Sequence, residues 1–408
     1  MSDVRDLVSL GVLGSFVPRD VVDQAISDAG CEAKRSGGKL PPWSVVYLTM
    51  LMALYPDDDY EELADRLAPL VAWGHEAIDL PASSGGVTQA RQRLGYEPVK
   101  RVFEQVCVPV ADTVTGGAFL GFRRLMAIDG FETEVPDTPK NLQRFGRSGG
   151  ADEAGSGYAK VRVVGIAECA TRAVISAGIA AVVGKGTGER SLAGSLWDGL
   201  EPDMLLMADC GFYSWGAWAK ASATGAGLLW RVGEPLGLPL INWLPDGSYL
   251  SLLTNPDLPK GRRQGLVDAA RAGAGIDPDQ GHLVRVIEYD VPDRGEDDDE
   301  LIVLITTITD PLEASATELA ETYHRRWDVE TAFDRIKTHL RPTSKVLRSQ
   351  SPDLVIAEIY GMLLTGWALA KLICDAATEM DTAPGRVKYK RAIRIVRRHA
   401  TRPAAFSP

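Results

Sequence analysis

The sequence reads as an α/β protein: an all-α N-terminal domain, a core of mixed sheet with flanking helices, and a β-rich insertion interrupting that core. Three observations carry this reading. Up to about residue 118 the apolar residues recur with helical spacing. From 120 to 233, short apolar runs bounded by Gly, Pro and Asp alternate with helical patterns. Between 234 and 310 the helices give way to β-rich segments, and they return after Pro311. The implied units are 1–118, 119–233, 234–310, 311–378 and 379–408.

In the first unit, Pro42–Tyr55 is apolar enough for a core helix, and Asp57–Glu62 follows as an acidic helix start. Val87–Val110 predicts two helices broken at Gly95 and Pro98. Arg91 and Arg93, beside Thr88 and Gln89, form a side-chain set that suits DNA; the plainer alternative is a solvated helix face. Gly116-Gly117 marks a joint between domains.

In the core, Leu125–Asp129, Val161–Ala167, Ala173–Val183, Met204–Asp209 and Leu228–Val232 read as strands. Glu189–Leu200 and Tyr213–Ala223 read as helices between them. Polar linkers separate the β-rich segments of 234–310. One holds Lys260, Arg262 and Arg263, and the other is the acidic loop Asp293–Glu300. Ile359–Ala370 is too short to span a bilayer and is bracketed by Glu358 and Lys371, so it reads as a buried helix and no membrane partner is expected. Arg386–Arg402 carries eight Lys/Arg and no acid, and Val387, Ile393 and Val396 could seat it on a core. That concentration of charge in an acidic chain predicts a phosphate-contacting helix.

Composition excludes several classes. With 45% apolar and 24% charged residues over 408 positions, the chain is globular and long enough to fold without disulfides or a structural metal. Five scattered cysteines with no CxxC pair give neither a disulfide framework nor a zinc site, so a reducing, cytoplasmic setting is expected. The N-terminus lacks a basic region followed by a long apolar core, hence no signal peptide is read there. The net charge of −11 gives no global basic field for nucleic acid, so any such binding follows local potential.

Chemistry concentrates in three places. Asp129 ends an apolar strand and precedes Gly130; Asp209 does the same before Cys210. Carboxylates at the ends of buried strands are costly unless compensated. Two from one sheet can converge on divalent ions, although an Asp also commonly opens a turn. The third place is residues 321–340. On a helix at about 100° per residue, Tyr323, Arg326, Glu330 and Lys337 fall within roughly 60°, beside an apolar stripe of Val329, Phe333, Ile336 and Leu340. Asp334 shares the polar stripe, so helical geometry alone does not select Glu330. A plain ion-pair face would have neither the tyrosine nor the flanking apolar stripe.

Tyr323-x2-Arg326-x3-Glu330-x6-Lys337 resembles the Y-x2-R-x3-E-x6-K signature of bacterial DDE transposases of the insertion-sequence-four type. LMAIDG around Asp129 resembles the family's first-aspartate strand and MADCGFYS its second-aspartate motif, with Cys210 where relatives often carry Arg. LRSQSPDLVIAEIYGMLL is similar to the segment after the catalytic helix, and the region holding VTQARQRLG to the N-terminal domain. The resemblance spans nearly the whole chain.

It implies an RNase H-like core, with the insertion between the second Asp and the catalytic Glu. It implies that Asp129, Asp209 and Glu330 are catalytic and hold two Mg²⁺ or Mn²⁺ ions, about 4 Å apart in such sites, for in-line attack at phosphorus. Tyr323, Arg326 and Lys337 would contact phosphates of the transposon end. The implied partners are double-stranded DNA, as inverted terminal repeats and target, and a second copy in a dimeric synaptic complex. Some relatives stack a flipped base on a tryptophan of the insertion; Trp243 is the candidate, while Trp215, Trp230 and Trp327 read as packing residues. His324 and His339 are expected at the surface. The alternatives are another RNase H-fold nuclease, which would not need the Tyr/Arg/Lys pattern, and a decayed or truncated transposase that only binds DNA.

Overall fold

The computed structural model describes residues 16–33, 40–71, 83–147, 157–233, 236–291 and 300–399. Residues 1–15, where no signal peptide is read, the body of the acidic loop (293–299) and the last residues of the basic stretch lie outside the described residues.

The N-terminal part contains α1 (Arg19–Asp28), α2 (Pro42–Leu54), α3 (Tyr60–Val71), α4 (Ser84–Leu94) and α5 (Glu97–Val106). Helix α2 begins with proline in its first turn, where the missing N–H removes no hydrogen bond. It is apolar all round because it is enclosed all round. Asp59 starts α3 by accepting the N–H groups of Glu61 and Glu62 at 2.9 and 2.8 Å. Ser83 caps α4 by accepting from Gly86 N–H.

On α4 the structure corrects one expectation. Arg91 does not face outward: it is 2% exposed and donates to Tyr60 Oη (2.6 Å), Ser349 Oγ (2.9 Å) and the Leu354 carbonyl (3.3 Å). Val87, Ala90 and Leu94, all buried, turn that side of the helix inward, whereas Arg93 stays exposed. The Gly116-Gly117 joint is a packed corner. Gly117 has φ +80°, and an added Cβ there would meet the Arg325 guanidinium at 2.9 Å.

The core is one sheet. Its strands are β1 (Phe119–Leu120), β2 (Arg123–Val135), β3 (Ala159–Glu168), β4 (Val174–Ala181), β5 (Met204–Ala208), β6 (Gly227–Val232), β7 (Leu240–Trp243), β8 (Tyr249–Thr254), β9 (Gly281–Val291) and β10 (Glu300–Thr306), in spatial order β4-β3-β2-β5-β6-β10-β9-β8-β7 with β1 on β2. Strands β2, β5 and β6 run parallel, and the remaining pairs are antiparallel. The first five positions in that order form the mixed sheet expected of an RNase H-like core. The β-rich segments do not form a separate layer, because β10 bonds directly to β6 and continues the core sheet. The linker holding Lys260, Arg262 and Arg263 is itself a helix, α9 (Lys260–Arg271), seated by Leu266 and Val267. Helices α6 (Pro139–Phe145), α7 (Glu189–Ala193) and α8 (Trp215–Ser222) complete the core; α7 is shorter than expected and gives way to a 3₁₀ turn at Trp197–Gly199.

Along β2, Leu125, Ala127, Phe131 and Val135 join one apolar cluster, while Met126 and Ile128 join another with Trp197, Trp218 and Trp230. The two clusters are the two faces of the sheet. The first face is covered by α10 (Ala316–Tyr323), α11 (Trp327–His339) and the long α12 (Pro352–Glu379); α13 (Tyr389–His399) follows. Helix α12 is long and apolar enough to cross a membrane, but 83% of its apolar window is buried inside the protein, as expected of a core helix. It approaches α2 closely at Gly361, where a Cβ would stand 2.6 Å from the Thr49 methyl group.

Candidate active site

Asp129 lies inside β2 rather than at its end. The strand runs on to Val135 because Phe131, Thr133 and Val135 turn inward in alternation with Glu132 and Glu134. The parallel neighbour β5 does stop, at Ala208. Its register pairs Ala127 with Met207, so two residues on, Asp129 and Asp209 stand side by side where β5 ends. Their odd positions point both carboxylates to the face under α11, since Leu125, Ala127, Leu205 and Met207 belong to that cluster.

The helix expected over 321–340 is broken. A 3₁₀ turn at His324–Arg326 separates α10 from α11, so the simple helical wheel does not run through Tyr323 to Glu330. The break lets α11 lie directly on the sheet. Phe333 packs against Phe131 with ring centroids 4.9 Å apart, and its ring tip would be 3.2 Å from a Cβ at Gly165. Gly165 is Asp129's partner across the β2–β3 ladder. A side chain there would lift the helix away from Asp129.

The helix then delivers its polar residues unequally. Arg326 is buried and its Nη2 lies 3.0 Å from Glu330 Oε1. Asp334, the rival on the same stripe, is exposed and accepts from Thr338. Tyr323 is buried, and its hydroxyl donates to the Ala208 carbonyl at 3.3 Å, the last residue of β5. Lys337 Nζ lies 5.6 Å from the Phe131 ring centroid, on the Asp129 side of the helix.

Electrostatics tie these groups into one site. Burial pushes the Asp129 carboxyl above the usual range; the Gly130 N–H and the charges of Arg326 and Lys337 pull it down, and Asp209 pushes it up. Glu330 is likewise raised, first by burial and then by Asp129 and Asp209, against the cation of Arg326. Burial also raises the Tyr323 phenol, so it stays protonated and available as a donor.

Among the described residues, no three acidic, histidine or cysteine side chains stand ready as a metal cage. The donor set nonetheless suits a hard divalent cation. Neither Asp129 nor Asp209 has a salt-bridge partner among the described residues, and Glu330 is balanced only by the adjacent Arg326. A divalent cation held among the three carboxylates would offset a mutual repulsion that Arg326 and Lys337 meet only in part.

One residue near the site escaped the sequence reading. Glu189 opens α7 with its Oε1 2.7 Å from where a Gly130 Cβ would stand, and it feels the charge of Asp129. Its neighbour Arg190 donates to the Gly211 carbonyl at 3.1 Å, bridging to the turn after Asp209. No motif marks either residue; only the chain path between β4 and β5 brings them here.

Trp243, at the far edge of the sheet, is 61% exposed and meets the Tyr249 ring edge-on at 5.3 Å. Trp230 is buried as expected and Trp215 is partly covered against His282, but Trp327 is 60% exposed beside Arg326. His324 is exposed, whereas His339 is partly buried and stacks on Tyr389. The basic stretch forms α13, seated by Tyr389, Ile393 and Val396. Arg397 donates to the carbonyls of Leu54 (2.5 Å) and His339 (2.9 Å), while Lys388, Lys390, Arg391, Arg394 and Arg398 stay exposed.

Known proteins resemble this chain along most of its length. Residues 7–104 match the family described as insertion element 4 transposase N-terminal, and residues 120–365 match the transposase DDE domain. The chain is 26% identical over 354 residues to the transposase InsG for insertion sequence element IS4 of Escherichia coli (strain K12), covering 86% of this chain and 74% of that protein. It is also similar to the piggyBac transposase in a synaptic complex with hairpin DNA, at 12% identity and a TM-score of 0.46, over 99% of this chain and 84% of that one. A DDE-domain match over more than half its length, on a mixed sheet that sets two aspartates beside a glutamate helix, places this chain in the DDE transposase family, enzymes that cleave DNA and transfer its strands.

Proposed function

We propose that this transposase cuts and joins DNA at the inverted terminal repeats of its own element, with Asp129, Asp209 and Glu330 as the catalytic carboxylates. The observation that supports this assignment is the β2–β5 register, which sets the two aspartates at one level beneath the helix carrying Glu330. The three carboxylates would hold Mg²⁺ or Mn²⁺ as a two-metal site. Bound there, Mg²⁺ or Mn²⁺ would supply Lewis-acid chemistry, easing deprotonation of the attacking water or 3′-hydroxyl and offsetting charge on the departing 3′-oxygen.

The protein's own residues supply orientation and charge. Arg326 and Lys337 reach phosphate oxygens of the transposon end, where guanidinium and ammonium groups are well suited. Tyr323 joins them by giving up its bond to Ala208; until then it fixes the end of β5 ahead of Asp209. An oxygen of the attacking water or 3′-hydroxyl forms the new bond to phosphorus, the bond to the leaving 3′-oxygen breaks, and the attacker's proton passes to solvent.

The N-terminal 118 residues help bind the ends, and residues 379–408 add backbone contacts through the exposed cations of α13. Two copies pair two ends. Trp243 is offered as a stacking surface for an unpaired base, its exposure being the supporting observation. Action on the element's own DNA fits a cytoplasmic setting.

The test is cleavage of labelled DNA carrying the ends that flank this gene, with Mg²⁺ or Mn²⁺, by wild type and by Asp129→Ala, Asp209→Ala and Glu330→Ala. Metal-dependent cutting at the element boundary, lost in all three variants, is expected. Binding without cleavage in either metal would point instead to a decayed enzyme, and cutting that survives any of the three substitutions would refute that residue's assignment.

A further inference from the structure

The turn between β3 and β4 carries two left-handed residues that are not glycine, Ala170 and Arg172, both at φ 65°. A side chain in this region strains the backbone. Strain of this kind persists only where surrounding contacts hold it. Here the contact is with the start of the glutamate helix. Asp328 Oδ2 accepts from the Ala170 N–H at 3.2 Å, and its Oδ1 accepts from Arg172 Nε at 3.0 Å and lies 2.9 Å from Arg172 Nη2. Both side chains are largely buried, at 12% and 18% exposure. Beside them, Cys169 Sγ donates to the Arg325 carbonyl at 3.5 Å.

The same turn is fixed on its other sides. The Cys169 N–H donates to the Leu125 carbonyl of β2 at 2.8 Å. Glu168, fully buried, accepts from the Val110 N–H (3.1 Å), the Ala111 N–H (2.9 Å), Thr171 Oγ1 (2.6 Å) and Arg124. The turn is therefore a rigid fixture joined to the strand that carries Asp129.

Helix α11 needs such a fixture. The 3₁₀ turn at His324–Arg326 interrupts the hydrogen-bond ladder that would fix its tilt from α10, and 3₁₀ segments of this kind act as hinges. We propose that Asp328 is a positioning residue for Glu330. It latches the first turn of α11 to the strained β3–β4 turn, and so holds Glu330, two residues on, at its station above Asp129. This rests on the catalytic assignment of Glu330 proposed above.

The experiment compares wild type, Asp328→Ala, Asp328→Asn, Arg172→Ala and Glu330→Ala on labelled transposon ends. End affinity is read without metal, the single-turnover cleavage rate at saturating protein with metal, and folding by thermal melting. Displacing a catalytic group by about 1 Å costs roughly 10²-fold in rate. Folded Asp328→Ala is therefore expected to bind ends like wild type and to cleave about 100-fold more slowly. Asp328→Asn keeps an acceptor for the Ala170 N–H and should recover at least a tenth of the wild-type rate.

If Asp328→Ala does not fold, Arg172→Ala is the deciding variant, because it retains the Ala170 contact; slowed cleavage with intact binding is again expected. Wild-type cleavage by a folded Asp328→Ala, or a loss of affinity that matches the loss of rate, overturns the latch. If Glu330→Ala itself cleaves normally, the catalytic assignment fails, and the latch with it. If Glu330→Ala is inactive while Asp328→Ala is normal, only the latch fails.

Discussion

Two buried arginines in this molecule look alike by exposure and differ in what they face. Arg91 is 2% exposed and Arg326 8%. Arg91 spends its guanidinium on neutral oxygens of Tyr60, Ser349 and Leu354, and Ser349 passes the contact on to the buried Glu358. It joins α4 to the start of α12 with no carboxylate of the active site within its reach. Arg326 meets Glu330 and lowers the pKa of both Glu330 and Asp129. One arginine closes a polar network, whereas the other leaves three carboxylates under-compensated. Burial alone therefore does not tell these two arginines apart; the groups that each one faces do.

Substitutions can break this comparison at either end. The largest effect is expected at the carboxylates themselves. Asp129→Asn, Asp209→Asn and Glu330→Gln should each lower single-turnover cleavage by at least about 10³-fold while the protein stays folded, since each removes charge from the proposed reacting centre. A gel-based cleavage assay beside a circular-dichroism melt checks both halves.

Next comes Arg91→Ala, which strips donors from three acceptors, two of them buried, and should destabilise the fold by about 3 kcal/mol. Its signature in a denaturant titration is a lowered midpoint, with cleavage per folded molecule unchanged. Arg326→Ala should do the reverse, sparing the midpoint and slowing cleavage by roughly 10–100-fold. It also removes the cation that holds Glu330's carboxyl down, so the acid limb of the pH–rate profile should move to higher pH.

A smaller effect separates charge from packing on α13. Arg391→Gln with Arg394→Gln should reduce the magnitude of the salt slope of end binding by about 2, leaving the cleavage rate at saturation intact.

The smallest effect concerns stability in the absence of metal. Burial raises Asp129's folded pKa, so the stability that its protonated form contributes is complete below the ordinary carboxylate range and is lost as pH rises through the raised value. Asp129→Asn avoids that loss. Its Tm should exceed wild type by about 1–2 °C at neutral pH and match it near pH 3. Equal melting temperatures at both pH values would mean that the Asp129 charge is compensated after all.

These contrasts also show what the sequence could carry. The four-residue signature and the two Asp motifs could be read because their residue types and spacing are fixed along the chain, whatever local structure they fold into. Helical geometry did not select Glu330 over Asp334, since both share a stripe; the signature's spacing did, and the structure leaves Asp334 exposed. The outward reading of Arg91 failed because the partner that buries it, α12, lies more than 250 residues away. Asp129 was misplaced at a strand end because β2 alternates after Gly130 and no longer looks like an apolar run. Glu189 and the Asp328 latch depend on where loops return, which spacing does not record. The exposed Trp327 was misread as packing because aromatic residues are more often covered than not.

The continuity of the sheet bears on which parts of this protein can be exchanged. A stretch that reads as an insertion invites the idea of a cassette, gained or lost as a piece. Here strand β10 lies directly against β6, so excising 234–310 would strip a core strand of its neighbour and expose a ladder of unpaired backbone groups. The outer rim, β7, β8 and α9, pairs as strands only with β9, yet its β7–β8 turn is tied inward, since Asp246 accepts from the Ala316 N–H that opens α10 at 2.8 Å and pairs with the fully buried Arg285. Change is therefore tolerated best at exposed rim positions such as Trp243, while the β7–β8 turn, β9 and β10 stay fixed. Diversity in how such a protein handles the DNA end can accumulate at this edge without disturbing the carboxylates on β2 and β5.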